Sequence, residues 1–250
     1  LEDTPLNIVL DASDVDGDNL SFSAISDNNN VVVSVTGSDL VMTPSENYNG
    51  SAQVTVTVTD GFLTDSETFT LTVTPVNDAP ILSSIADQTT AEDISLTISL
   101  SGTDIDGDVL SYSADSDNND VFVSVSGDDL TMTPSANYNG SAQVTVTVTD
   151  GFLTDSDTFT LTVTSVNDSP VLTDIGDQVI LEDTPLNIVL DASDVDGDDL
   201  SFSAVSDNNN VVVSVTGSDL SITSSANYNG IAQVTVTVTD GFLTDSETFT

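Results

Sequence analysis

The residues of this chain best able to do chemistry are three carboxylates packed into five positions, Asp104-Ile105-Asp106-Gly107-Asp108, in a molecule with 42 acidic residues and no Lys, Arg or His. No side chain of opposite charge can offset them, so a compact fold needs counter-ions from outside. The cluster recurs as Asp14, Asp16 and Asp18 and again as Asp194, Asp196 and Asp198, each copy 90 residues from the next. An all-oxygen donor set favours a hard divalent cation. Ca2+ takes about six to eight oxygens in flexible geometry, whereas Mg2+ holds its waters and demands a strict octahedron. Transition metals prefer nitrogen or sulfur ligands, and the chain has neither His nor Cys.

The same inventory excludes whole function classes. With a formal net charge of −42, nucleic-acid, phosphate and anionic-membrane partners are not expected, because all three are recognised through Lys and Arg. No zinc finger, Ser-His-Asp triad, Schiff base or Lys–Asn isopeptide bond can be built from these residue types. Paired carboxylates could serve a glycosidase. Near-identical copies argue against that, since a hydrolase needs one singular site with unequal acid and base environments, and the chain reads as non-enzymatic. The absence of Cys leaves metal as the staple for modules of this size. No apolar run reaches about 18 residues and no basic n-region precedes a cleavage site, so no direct membrane insertion and no signal peptide are expected in this segment. The chain starts and stops in mid-repeat, which predicts a fragment of a longer protein.

The elements that must position these acids follow from the repeat. Residues 1–18 recur unchanged at 181–198, and 51–66 recur at 141–156, so one folding unit is used serially. Acidity with few aromatics can signal disorder, but the apolar residues here alternate. Val144, Val146 and Val148 interleave with Thr145, Thr147 and Thr149, the period of a half-buried strand. Seven such segments are predicted in the complete second unit, at about 81–86, 94–100, 109–115, 121–126, 129–133, 142–149 and 157–164. The fold class expected is all-β: tandem Greek-key sandwiches of immunoglobulin-like, cadherin-like architecture with seven strands per module. The boundaries expected are 1–78 (lacking its first strand), 79–168 (complete) and 169–250 (truncated in its last strand, with Phe249 at a frayed edge). The connectors Pro75-Val76-Asn77-Asp78-Ala79-Pro80 and Ser165-Val166-Asn167-Asp168-Ser169-Pro170 are short, polar and stiffened by proline.

Sandwich topology then converts sequence into placement. The loop after the second segment carries Asp104, Asp106 and Asp108, and the loop after the sixth opens with Asp150. Both are expected on the rim that receives the connector with Asn77 and Asp78. Glu2 and Asp3, with Asn47 to Asn49, are expected on the facing rim of the first module. One junction would thus gather oxygens from three sources. The second junction repeats it with Glu92, Asp93, Asn167, Asp168, Asp194, Asp196, Asp198 and Asp240, and Asp14, Asp16 and Asp60 are the matching residues of the first module. An EF-hand is the weaker reading of the loop, which lacks Gly at its sixth position (Asn19, Val109, Asp199) and Glu at its twelfth (Ile25, Asp115, Val205).

These residues resemble the cadherin-like tandem repeats of large bacterial surface and secreted adhesins and, more distantly, animal cadherins, over the whole chain. In that resemblance Glu2, Glu92 and Glu182 stand for the family's N-terminal calcium glutamate, and Asn77-Asp78 and Asn167-Asp168 for its linker. Asp104 with Asp106, and Asp194 with Asp196, stand for its DxD pair, and Asp150 and Asp240 for its late aspartate. The family's acidic cluster before the sixth strand is replaced by Asn47-Tyr48-Asn49-Gly50 and its copies, which implies fewer ions per junction. The resemblance implies calcium-dependent stiffness and adhesion.

Two aromatic sets have plain readings. Tyr48, Tyr138 and Tyr228 fall where a tyrosine corner sits in such sandwiches. Phe62, Phe152 and Phe242, in the turn after the sixth segment, are expected to cap the core beneath their loop, with a sugar-stacking platform as the other reading. The expectation for function is a calcium-rigidified stalk segment of an extracellular, surface-attached or secreted bacterial protein. Its partners would be the neighbouring repeats and a cell-surface receptor or glycan. The alternatives are a calcium-dependent carbohydrate-binding module on a secreted polysaccharide-degrading enzyme, and an acidic surface suited to brine.

Overall fold

The computed structural model describes residues 1–250, and the chain is built of strands and turns throughout. The first repeat contains β1 (Leu6–Val9), β2 (Ser21–Ser26), β3 (Val31–Thr36), β4 (Asp39–Pro44), β5 (Gly50–Thr59) and β6 (Thr64–Val73). The second contains β7 (Ile81–Leu82), β8 (Gln88–Ala91), β9 (Leu96–Ser99), β10 (Gly102–Thr103), β11 (Ser111–Ser116), β12 (Val121–Ser126), β13 (Asp129–Pro134), β14 (Gly140–Thr149) and β15 (Thr154–Thr164). The third contains β16 (Val171–Leu172), β17 (Leu186–Val189), β18 (Ala192–Ser193), β19 (Ser201–Ser206), β20 (Val211–Thr216), β21 (Asp219–Ser224), β22 (Val234–Thr239) and β23 (Thr244–Phe249).

The second repeat is the most complete. One sheet has the order β11-β14-β15-β8 and another β12-β13-β9, and β7 and β10 form a separate two-stranded pair. All pairs are antiparallel except β8 with β15, which is parallel. The opening segment expected as one strand over 81–86 is therefore two. Ile81–Leu82 pairs with Gly102–Thr103, and the chain then crosses to the other sheet as Gln88–Ala91. Thr154–Thr164 begins three positions earlier than its apolar alternation, because Asp155 and Asp157 on that stretch face the opening strand rather than solvent alone.

The interior follows from the Val/Thr alternation. In β14 the three valines are fully buried while the threonines lie half-exposed. β-Branched residues suit a pleated surface buried on one face. On the outer face Thr145 and Thr158 hydroxyls pair across β14 and β15 at 2.9 Å, and Thr97 and Thr131 do the same across β9 and β13 at 2.9 Å. Such cross-strand pairs add small increments of sheet stability. Each repeat has its own apolar cluster. In the second, Leu130, Met132, Val144, Val146, Val148 and Leu161 are completely buried. Phe249, expected at a frayed edge, is instead paired with Val234 across β22 and β23 and packs into the third cluster with Leu172 at 4 % exposure.

Tyr138 makes the corner read from the sequence. Its hydroxyl accepts from Asn118 Nδ2 at 2.6 Å and donates to the Ser141 carbonyl at 3.1 Å. The ring lies so close over Gly140 that a Cβ there would come within 2.6 Å of the hydroxyl, at a backbone φ of 151°. Only glycine fits that position.

Candidate metal centre

The acids converge because three local structures are aimed at one place. The first is a turn in which Asp104 Oδ1 accepts the backbone N–H groups of Asp106 at 2.9 Å and Asp108 at 3.2 Å. An aspartate that binds its own downstream backbone closes a tight loop, and here it leaves Asp104 Oδ2 buried with no partner. The second is the connector. Asp78 N–H donates to Asp106 Oδ2 at 2.8 Å, and Asn77 Nδ2 donates to Asp150 Oδ2 at 2.7 Å. The third is Glu2 of the preceding repeat, 2 % exposed, whose Oε1 accepts the N–H of Val76 at 2.5 Å.

The result is a group of carboxylates from Glu2, Asp78 and Asp106 that can bring ligand oxygens within 4.8 Å of one another, next to a second group of Asp104, Asp106 and Asp108. The second junction repeats both, as Glu92, Asp168 and Asp196 and as Asp194, Asp196 and Asp198. Glu92 is 2 % exposed, its Oε1 accepts the Val166 N–H at 2.5 Å, and Asp168 N–H donates to Asp196 Oδ2 at 2.8 Å.

The electrostatics are unfavourable without a cation. Burial, followed by repulsion from Asp106, Asp3, Glu2 and Asp104, holds the Asp78 carboxyl above its ordinary range. Burial and then Asp196, Asp93, Glu92 and Asp194 do the same to Asp168. Asp198 is raised by burial and by Asp194, Asp196, Asp240 and Asp199. Asp78 Oδ2, Glu92 Oε2, Asp104 Oδ2, Asp168 Oδ2 and Asp194 Oδ2 are all buried with no hydrogen-bond partner. Buried carboxylate oxygens are normally paired or metal-bound. Nearly all of the orphaned side-chain oxygens of the chain fall at these two junctions, and the donor set fits a hard, oxygen-seeking divalent ion.

Other expected ligands are placed differently. Asp150 Oδ1 accepts the N–H groups of Phe152 at 2.6 Å and Leu153 at 2.7 Å, while Oδ2 takes Asn77, so Asp150 builds its turn and orients the connector. The Asn77 amide is its first cause of a lowered pKa, then the backbone of Leu153 and Phe152. Asp240 is lowered by Asn167 first and by the Phe242 and Leu243 backbone. Asp60, with no connector above it, is lowered by the Leu63 and Phe62 N–H groups. Asp3 and Asp93 stand with positive φ and accept the N–H groups of Asn47 at 2.9 Å and Asn137 at 3.1 Å. They add negative potential at the junction edge. Asn77 and Asn167 spend their amide nitrogens on the neighbouring backbone and on Asp150 and Asp240, which leaves Oδ1 as the atom each can offer. Asp14 and Asp16 form the same turn, with Asp16 N–H on Asp14 Oδ1 at 2.8 Å, but they meet no glutamate and no connector. Glu182 is exposed, unlike Glu2 and Glu92, which are 2 % exposed.

Two features escaped the sequence reading. Acids on strands serve as backbone acceptors: Asp155 Oδ2 takes the Leu82 N–H at 2.9 Å and Asp157 Oδ2 that of Ile85 at 2.7 Å. The signal was their i, i+2 spacing, which puts both on one face of β15. The second feature corrects an expectation. Phe62, Phe152 and Phe242 do not cap the core; they are 92 %, 84 % and 85 % exposed, because the four-residue turn closed by the preceding aspartate holds them beyond the end of the sandwich.

No helix of the chain is long and apolar enough to cross a membrane. Chitinase A of Pseudoalteromonas piscicida is 33 % identical over 167 residues, which is 63 % of this chain and 20 % of that protein; the chain thus spans about a fifth of that relative's length. Among solved structures, the EC1-3 segment of mouse protocadherin-24 matches 97 % of this chain and 91 % of its own, at 13 % identity and a TM-score of 0.49. An endo-fucoidan hydrolase from glycoside hydrolase family 107 matches 99 % of this chain and 41 % of its own, at 18 % identity and a TM-score of 0.33. A family model described as "Bacterial Ig domain" matches residues 1–74, 77–164 and 167–250. The chain therefore belongs to the bacterial Ig domain family and consists of three such domains in tandem.

Proposed function

We propose that this chain is a calcium-stiffened stalk segment of an extracellular bacterial protein, with one ion-binding junction between each pair of modules. The modules divide at 1–78, 79–168 and 169–250. The observation that carries the reading is the second junction, where Glu92, Asp168 and Asp196 converge and Glu92 Oε2 and Asp168 Oδ2 are buried without partners. Glu92, Asp168, Asp194 and Asp196 would hold the ion there, and Glu2, Asp78, Asp104 and Asp106 at the first. Bound calcium would supply the positive charge that this chain lacks.

Without the ion, like charges push the rims apart and the connectors flex. At the roughly 10⁻⁴–10⁻³ M affinity of extracellular modules, the sites fill outside cells and the repeats align. The segment acts by geometry and carries no catalytic role. Adhesion to a receptor or glycan is the task such a stalk would serve. Calorimetric titration of the whole chain with calcium tests this: saturable binding lost on Asp104→Ala with Asp106→Ala is expected at the first junction. Small-angle scattering with calcium and with chelator should show a longer maximum dimension with the ion. Heat that follows ionic strength alone, with no saturable calcium component, would overturn the reading.

A second reading draws on the exposed rings of Phe62, Phe152 and Phe242. Repeated at one rim of each module, they could stack on sugar rings if the chain is appended to a secreted polysaccharide-degrading enzyme, as the chitinase relative favours. Polysaccharide pull-down in calcium that fails for Phe152→Ala with the fold intact would select it.

A further inference from the structure

The chain contains six Asp-Gly bonds, and the structure divides them into two kinds. Three open the turn between the last two strands of a module, at Asp60-Gly61, Asp150-Gly151 and Asp240-Gly241. In these, the carboxylate and the glycine nitrogen are both tied down. Asp150 Oδ1 accepts the Phe152 and Leu153 N–H groups at 2.6 and 2.7 Å, and Oδ2 accepts Asn77 Nδ2 at 2.7 Å. The Gly151 N–H is donated to Thr149 Oγ1 at 3.0 Å. Asp240 and Gly241 repeat all four bonds, with Asn167 and Thr239 as partners, and Asp60 and Gly61 repeat three of them.

The other three lie in the acidic turns, at Asp16-Gly17, Asp106-Gly107 and Asp196-Gly197. Asp104 Oδ1 takes the N–H groups on either side of Gly107, those of Asp106 and Asp108, but the Gly107 N–H itself has no acceptor. The Gly17 N–H is equally free, and that of Gly197 reaches Asp194 Oδ1 at 3.1 Å. Asp106 Oδ2 accepts the Asp78 N–H at 2.8 Å, while its Oδ1 accepts nothing. Asp106 and Gly107 are exposed, and a Cβ built on Gly107 would meet no atom within 4 Å. A free, unobstructed glycine nitrogen next to an exposed carboxyl group is what main-chain cyclisation requires, and glycine has the backbone freedom to reach the ring geometry.

We propose that Asp106-Gly107 and Asp196-Gly197 are isomerisation sites, at which a junction left without its ion passes through a succinimide to isoaspartate and loses the ability to hold the ion. The Gly107 nitrogen attacks Asp106 Cγ, and its proton leaves with the carboxyl hydroxyl as water, closing a five-membered imide. Water then opens the ring. Attack at the side-chain carbonyl restores aspartate, and attack at the main-chain carbonyl gives isoaspartate. The water lost is regained, so composition is unchanged and no oxidant or co-reactant is consumed. In isoaspartate the main chain runs through Cβ and Cγ, one methylene longer, and the carboxylate sits on Cα, out of register with the Asp78 N–H and Glu2. The choice among the six bonds rests on their hydrogen bonds alone. Protection by the ion rests on the proposed calcium junction, since a cation would hold the Asp106 carboxylate away from the Gly107 nitrogen.

The test stores the whole chain at neutral pH in chelator and, in parallel, in calcium, and locates isoaspartate by peptide fragmentation and enzymatic methylation. In chelator, isoaspartate should form at Asp16, Asp106 and Asp196 at least about tenfold faster than at Asp60, Asp150 and Asp240, the factor expected where three or four hydrogen bonds need not be broken first. Calcium at about ten times its dissociation constant should slow Asp106 and Asp196 about tenfold, because only the ion-free form reacts. Equal rates at the six bonds, or no isoaspartate at Asp106 and Asp196 in chelator, would overturn the proposal. Calorimetry on the same samples separates it from the calcium reading. Saturable binding without slowing overturns protection by the ion, whereas absence of binding overturns the calcium junction and leaves the order of the six bonds to be judged in chelator.

Discussion

Glu92 Oε1 accepts the Val166 N–H at 2.5 Å while Glu92 Oε2, buried beside Asp168, has no partner. One oxygen fixes the glutamate to the departing connector, and the other is left aimed at the junction. Glu92→Gln separates these tasks. The amide oxygen can keep the Val166 bond while the charge is removed. We expect calcium affinity at the second junction to fall about tenfold or more, because ligand charge tunes such sites, with little loss of stability in chelator. Calorimetry with chelated melts checks both, and unchanged affinity would remove Glu92 from the site.

Asp78→Asn and Asp168→Asn should act in opposite directions with and without the ion. Each carboxylate is held above its ordinary range by burial and by its acidic neighbours. Neutralising either relieves repulsion in chelator, so the apo melting temperature should rise. In calcium it removes a ligand, so the holo melting temperature should fall. A variant that shifts both melts the same way would contradict the placement.

The pH dependence of the chelated protein has two limbs. Asp78, Asp168 and Asp198 have raised pKa values, so their favourable contribution is present below the unfolded value and is lost as pH rises through the folded one. Asp60, Asp150 and Asp240 are lowered, so their contribution is present above the ordinary 3.8 and is lost as pH falls through the folded value. Chelated stability should therefore peak on the mildly acidic side and decline toward neutrality, and calcium should abolish the decline. Thermal melts across pH, with and without the ion, would expose a monotonic rise as the contrary result.

Phe159→Ala and Phe69→Ala compare one position in two modules. Phe159 is 2 % exposed beneath the opening strand, and its loss should cost about 3–5 kcal/mol. Phe69 lines an open groove of the first module and is half-exposed, so its loss should cost clearly less. Denaturant melts resolved by module would distinguish them, and equal costs would contradict the difference in burial.

Tyr138→Phe should cost about 1 kcal/mol, the net worth of a typical hydrogen bond. The hydroxyl accepts from Asn118 and donates to the Ser141 carbonyl, which Asn118 Nδ2 also reaches directly at 3.4 Å, while the ring keeps its place over Gly140. Calcium affinity should be unchanged, because the corner lies within the module, and a large calcium effect would tie the corner to the junction.

Much of this was legible in the residues, and the line between what was and what was not is physical. The Val144, Val146, Val148 alternation dictates a strand with one buried face whatever surrounds it, because successive side chains point to opposite sides. The 90-residue period dictates serial modules, and the lack of any cationic side chain dictates that acid clusters look outward for charge. The turn at Asp104 is likewise local, made by a side chain and backbone four residues away.

Only the tertiary structure decided which acids meet. Asp78 and Asp106 are 28 residues apart and Glu2 and Val76 are 74 apart, so their meeting depends on how the connector threads two rims. No pattern distinguishes Asp150, spent on its own turn, from Asp168, left with an unpartnered oxygen, because each is an aspartate between strands. Nor could sequence tell that Phe152 points away from the core or that Leu82 completes it, since burial belongs to the packed assembly of strands and not to any one of them.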